Sequence, residues 1–172
     1  MRPYPVYLIW LLVLGGLCAC SEEPEKDPFV LPDNATTLLS GDSTKTWKLA
    51  RRFNNGTRMN MGDRFLSYRI TYRADKTLQD NNGEQSDCGP TLAGTWKFAR
   101  DKSGSPYLKW HSPQLPELMN TDTPEKTFRI LGLQEDQLVL KYSHRQFSDK
   151  KTFITDVLVP QDATIEDREF HW

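Results

Sequence analysis

Leu66 Ser67 Tyr68 Arg69 Ile70 Thr71 Tyr72 Arg73 is the cleanest alternation in the chain. Leu66, Tyr68, Ile70 and Tyr72 fall on one face and Ser67, Arg69, Thr71 and Arg73 on the other, the period-two pattern of a strand buried on one side. Ala74 Asp75 Lys76 then supplies a tight turn, and Thr77 to Asp80 reads as the returning strand. Such a hairpin points to a domain built of strands.

Upstream, Lys45 Thr46 Trp47 Lys48 Leu49 Ala50 alternates in the same way and puts Trp47 and Leu49 inward. The segment from Phe53 to Asp63 carries the turn signal Asn54 Asn55 Gly56 and reads as a loop, with Met59 and Met61 as candidates for the rim of a mouth. Leu38 and Leu39 form an apolar pair placed to plug one end of the core. Downstream, Gly94 to about Arg100 and Tyr107 to His111 are strands whose inward residues are Trp96, Phe98, Leu108 and Trp110. Ser112 to Glu125 holds Pro113, Pro116 and Pro124 and reads as a long loop, because proline lacks the donor a ladder needs. Phe128 to Leu131 and Gln137 to Tyr142 flank Gln134 Glu135 Asp136 as a hairpin, and Thr152 to Val159 is a last β-branched strand before Pro160. Seven or eight short strands with no long helix predict an all-β chain, an antiparallel up-and-down β-barrel of about eight strands.

The opening Leu39 Ser40 Gly41 and Lys45 to Leu49, the run Tyr68 to Thr77, and the later pair Leu131 Gly132 Leu133 and Leu138 Val139 Leu140 resemble the lipocalin-like domain lipoproteins of the Bacteroidetes. The resemblance covers about residues 38 to 159 and implies a lipocalin-like barrel. An obvious basic residue and disulfide pair of the kind seen in classical secreted lipocalins is missing, so the resemblance alone does not carry their small-ligand function over.

The first residues supply an address. Arg2 precedes the apolar run Val6 to Leu14, and Leu17 Cys18 Ala19 Cys20 resembles the lipobox of bacterial lipoproteins, cut just before the cysteine. Residues 1–19 are thus expected to be a removed signal peptide, too short and glycine-interrupted to span a bilayer. Cys20 would carry the lipid, each buried methylene of which contributes about 0.8 kcal/mol to anchoring. Ser21 Glu22 Glu23 resembles the export tag of Bacteroidetes surface lipoproteins, and the proline-punctuated polar stretch that follows predicts a disordered tether over residues 20–37. The expected organisation is completed by a barrel over 38–160 and a tail over 161–172. The expected location is the outer membrane, lipid-anchored and surface-exposed, with a periplasm-facing arrangement as the alternative.

Without residues 1–19 the chain keeps 21 Lys and Arg against 23 Asp and Glu, a balance that gives no reason to expect nucleic acid as partner. Of three cysteines, Cys18 leaves with the signal and Cys20 is lipidated, so Cys88 is alone and no internal disulfide forms.

Trp47, Tyr68, Tyr72, Trp96, Trp110 and Phe128 project onto the interior face, either as core or as the wall of a pocket for an apolar or sugar ring. Asp42 Ser43 Thr44 resembles the O-glycosylation acceptor pattern of the Bacteroidetes, with Ser43 as the acceptor. His111, His144 and His171 lie far apart with no ligand-spaced carboxylate or cysteine, so no metal and no cofactor is expected. No serine elbow or phosphate loop appears, and no catalytic residue is assigned. The expected function is a binding module for a small hydrophobic or glycan ligand. The alternatives are an assembly lipoprotein docking on an outer-membrane protein partner and, third, a glycan hydrolase needing two carboxylates across a cleft.

Overall fold

The computed structural model describes residues 29–86, 88–119, 121–145 and 151–170. The signal peptide and Cys20 lie outside the described residues. Nine strands run in chain order: β1 (Thr44–Asn54), β2 (Thr57–Arg58), β3 (Arg69–Arg73), β4 (Thr77–Asp80), β5 (Ala93–Arg100), β6 (Pro106–His111), β7 (Glu125–Leu133), β8 (Leu138–Arg145) and β9 (Lys151–Pro160). Short helices α1 (Ala35–Ser40), α2 (Asp63–Ser67) and α3 (Leu115–Met119) interrupt them.

From β3 onward each strand pairs antiparallel with the next, β1 pairs with β3, and β1 also pairs with β9, so the sheet closes into an up-and-down barrel. β2 is a flap folded back on the end of β1. The lower half of β1, Thr44 to Lys48, belongs to β3, and the half from Trp47 to Asn54 belongs to β9. This handover removes the free edges that an open sheet would expose.

The two ends differ because their connections differ. At one end the links are residues 74–76, 101–105 and 134–137, tightened by turn chemistry. Asp75 Oδ1 accepts the Thr77 N–H at 2.9 Å, and Asp101 Oδ1 accepts both the Ser103 and Ser105 N–H groups at 2.9 Å. Helix α1 plugs this end. Leu39 is fully buried, and its carbonyl accepts the Trp47 indole N–H at 2.8 Å. Gly41, at φ 63°, releases the chain from the helix into β1, a conformation that glycine adopts without steric cost. At the other end stand the long connections 55–68, 81–92 and 112–124.

Four boundaries differ from the sequence reading. β1 continues to Asn54 and turns through Asn55 Gly56 into β2, so the stretch read as a loop from Phe53 begins as strand. Leu66 and Ser67, read as the start of the hairpin strand, close helix α2, and the strand starts at Arg69. The loop 112–124 contains α3, with Pro116 in its first turn, where a missing N–H costs nothing. The stretch read as disordered tether to residue 37 ends earlier: α1 begins at Ala35, and Phe29 and Leu31 pack against the core. The tail from 161 docks on the body. Arg168 Nε donates to the Leu49 carbonyl at 2.7 Å, and the Met61 N–H donates to the Glu169 carbonyl at 3.2 Å.

Candidate functional site

Alternation delivers the interior. Ile70 and Tyr72 of β3, Leu78 of β4, Trp96 of β5, Leu108 and Trp110 of β6, Phe128 and Ile130 of β7 and Leu140 of β8 are all buried. Their rings form a continuous arc: Trp96 meets Tyr72 edge-on at 6.0 Å, Tyr72 lies 6.2 Å from Trp110, Trp110 4.4 Å from Phe128, and Phe128 5.2 Å from Tyr142. Such contacts add roughly 0.5–1.5 kcal/mol each beyond area burial.

The half of the barrel next to α1 is filled. Towards the long loops the arc opens into a cavity of about 340 Å³ walled by Tyr68, Ile70, Tyr72, Trp110, Phe128, Leu140, Tyr142 and Leu158. Its rim is made by Arg64 and Phe65 of α2, Asn82 and Cys88 of the β4–β5 loop, and Leu118 and Met119 of α3. The volume lies at the small end of ordinary ligand pockets.

One irregularity gives the cavity its charge. β1 carries a bulge between Leu49 and Arg51, opposite Leu158 and Val157 of β9. The extra residue reverses the inside–outside order, so Arg52 points into the barrel instead of Arg51. Asp156 is its register partner on β9, on the inward face with Ile154 and Leu158. Arg52 grips it with two bonds, Nε to Oδ1 at 2.6 Å and Nη2 to Oδ2 at 2.7 Å. The Tyr142 hydroxyl accepts from Arg52 Nη2 and donates to Asp156 Oδ2, each at 3.2 Å. Burial alone would lower the Arg52 pKa, but the hydrogen bonds and charge of Asp156 overcome it and hold the guanidinium protonated. The ring of Phe65 in α2 packs on that guanidinium, 4.4 Å from Cζ to centroid.

Asp80, at the last position of β4, is the second cavity carboxylate. It accepts from the Leu92 N–H at 2.8 Å, the Asn82 N–H at 3.2 Å and Asn82 Nδ2 at 2.9 Å, yet burial still raises its pKa. Lys126 enters from β7, directly across the ladder from Trp110, with Nζ 5.1 Å from the Tyr142 centroid. His144, exposed at the rim, has its pKa lowered by partial burial and by the charges of Lys126 and Arg52. Burial pushes the phenols of Tyr68, Tyr72 and Tyr142 up, so all three stay neutral hydroxyls.

The residues singled out from the sequence therefore divide. Tyr68, Tyr72, Trp110 and Phe128 line the cavity, whereas Trp47 and Trp96 are core beside it. Met61 is buried in the core, Met59 is half-buried with its N–H donating to the Arg52 carbonyl, and neither is among the residues that line the cavity. Ser43 is exposed at the opposite, plugged end. Arg52, Asp80, Lys126, Tyr142 and Asp156 were not anticipated. For Asp156 the signal was present: alternation through Thr152, Ile154, Asp156 and Leu158 puts one carboxylate on an otherwise apolar inward face. Among the described residues no three metal-ligating side chains come together.

No protein-family model matches the chain, and no curated protein does. Among solved structures it is similar to a lipocalin-like protein from Bacteroides uniformis, with TM-score 0.42, 10% identity, and cover of 71% of this chain and 97% of that one. It is similar to an uncharacterised protein from Bacteroides eggerthii, with TM-score 0.41, 13% identity, and cover of 69% and 99%. It is also similar to bovine odorant binding protein in complex with a selenium-containing odorant, with TM-score 0.37, 13% identity, and cover of 77% and 76%. These likenesses bear on the fold alone.

Proposed function

We propose that the protein is a binding module that takes a small, mainly apolar molecule into the mouth of its barrel, held at the outer membrane by lipid on Cys20. The cavity of about 340 Å³ between the long loops carries this reading. Aromatic and aliphatic side chains make most of its wall, and burying them under a ligand is favourable at roughly 25 cal/mol per Å² of apolar surface. Both cavity carboxylates are engaged by the protein itself: Asp156 is paired with Arg52, and Asp80 accepts three N–H bonds. That engagement supports binding over hydrolysis. The lipobox and acidic stretch of the sequence support the address.

Titration of the full-length chain with N-phenyl-1-naphthylamine, a neutral fluorophore, is the direct test. Saturable binding that decanol displaces, and that Leu140→Trp abolishes without changing the circular dichroism spectrum, is the expected result. Non-saturable binding, or binding indifferent to Leu140→Trp, removes the reading. The anchor is tested separately by membrane fractionation and metabolic lipid labelling, in which Cys20→Ser should lose both the label and the membrane.

A further inference from the structure

Two hydrogen-bond donors in the cavity wall lack a well-formed bond. The Tyr72 hydroxyl and the Trp110 indole N–H are buried, at 0% and 5% residue exposure; they lie against each other, and neither makes a hydrogen bond of good geometry with its neighbour or with any other group. An unmet buried polar group costs about 1–3 kcal/mol, so a fold keeps one only where something else completes it. Trp Nε1 can only donate, and the Tyr72 phenol is held neutral by burial, so a complementary ligand atom is an acceptor.

The charges of the wall point the same way. Arg52 is cancelled by Asp156, and Asp80 already accepts three hydrogen bonds. Lys126 is different. It is half-buried, it sits opposite Trp110 in the β6–β7 ladder, and among the described residues no carboxylate lies within ion-pair distance of it. Burial alone draws its pKa down, with no anion to raise it. A desolvated cation without a counter-charge is as costly as an unmet donor, and an anionic ligand oxygen relieves both.

We infer that the ligand is an anionic amphiphile, an apolar chain or ring ending in a carboxylate, whose oxygens are taken by Lys126 and by the Trp110 and Tyr72 donors. The inference rests on the reading of the barrel mouth as a ligand cavity. It adds polarity and sign to that reading. The apolar body lies against Phe128, Ile70 and Leu140, and the bound carboxylate gives Lys126 the counter-charge it lacks.

Calorimetric titration of the full-length chain with decanoate, decanol and decylamine separates the two claims, because the three share a hydrocarbon body and differ in the head. Decanoate should bind at least about tenfold tighter than decanol, as a charge-assisted hydrogen bond gives, and decylamine should be weakest. Lys126→Met should erase the difference between decanoate and decanol, a result that a merely structural role for Lys126 does not produce. Trp110→Phe should weaken decanoate more than decanol. If decanoate and decanol bind equally, or if Lys126→Met leaves their ratio intact, the inference falls while the cavity reading stands. If none of the three binds, both fall.

Discussion

The ion pair of Arg52 and Asp156 joins the strands that close the barrel, and its removal is the most informative perturbation of the fold. The side chains are 17% and 12% exposed and share two short bonds. At a charge separation near 4 Å and an effective dielectric of about 20, their attraction is about 4 kcal/mol, offset by a desolvation cost of similar size. The pair is thus close to neutral as a unit, and either half alone is expensive. Asp156→Ala strands a guanidinium that keeps only the Tyr142 hydroxyl and the Phe65 ring, and should cost about 3 kcal/mol, trimmed from the 3–5 kcal/mol of fully buried pairs by the residual exposure. Arg52→Met should cost less, because the abandoned carboxylate can take up a proton. The double variant Arg52→Met/Asp156→Ala should be less unstable than the two single losses combined, by a coupling of roughly 2–3 kcal/mol. Urea unfolding followed by circular dichroism gives all four stabilities. A loss below 1 kcal/mol for Asp156→Ala, or a double variant as unstable as the two single losses combined, would show that the pair behaves like an exposed one and would refute the reasoning.

Leu39→Ala at the plugged end should cost about 2–5 kcal/mol in urea unfolding yet leave naphthylamine affinity unchanged, since Leu39 is fully buried and far from the cavity wall; lost affinity would show the two ends to be coupled. Gly94→Ala should destabilise by at least about 1–3 kcal/mol, because its new Cβ would sit 2.3 Å from the His111 carbonyl oxygen, and an unchanged Tm would contradict that contact. Alkaline titration gives a third check. Tyr68, Tyr72 and Tyr142 hold their protons more tightly in the folded chain than at the ordinary 10.0, so their contribution to stability is complete below about pH 10 and fades as pH rises towards their folded values. Phenolate absorbance from these three should appear only with unfolding, and reversible ionisation in the native state would count against their burial.

The strands were legible wherever one face is apolar and the other polar, as in Tyr68 to Arg73 and Leu138 to Tyr142, because the period of two is imposed by the pleat itself. Leu66 Ser67 continued that alternation by accident; a helix as short as α2 has too few turns to show a period of its own. The end of β1 was hidden for a different reason. A bulge reverses the inward set without leaving any composition signal, so Arg51 Arg52 reads as polar surface although one of the two enters the barrel. Most of the aromatic wall, Tyr68, Tyr72, Trp110 and Phe128, could be read directly, since ring size and facing are local properties. Its polar lining could not, because a pairing such as Arg52 with Asp156 links positions 104 apart and depends on which strands end as neighbours.

Closure of the barrel through β1 and β9 has a consequence for the order of events in synthesis. From β3 to β9 every neighbour pair is a hairpin that can form as soon as its second strand exists, while the seam joins Trp47 to Pro160 and Asn54 to Ile154. Contacts of such long range carry the largest loop-closure cost and come late. A nascent chain therefore holds the outer half of β1 without its β9 partner until nearly its last residues are made, with only the short β2 flap beside its end and the Leu49 and Arg51 backbone open to any stray strand. The docked tail, whose Arg168 caps the Leu49 carbonyl, is then the final stitch on the seam, and a truncation there would lengthen the time the chain spends sticky rather than change what it finally becomes.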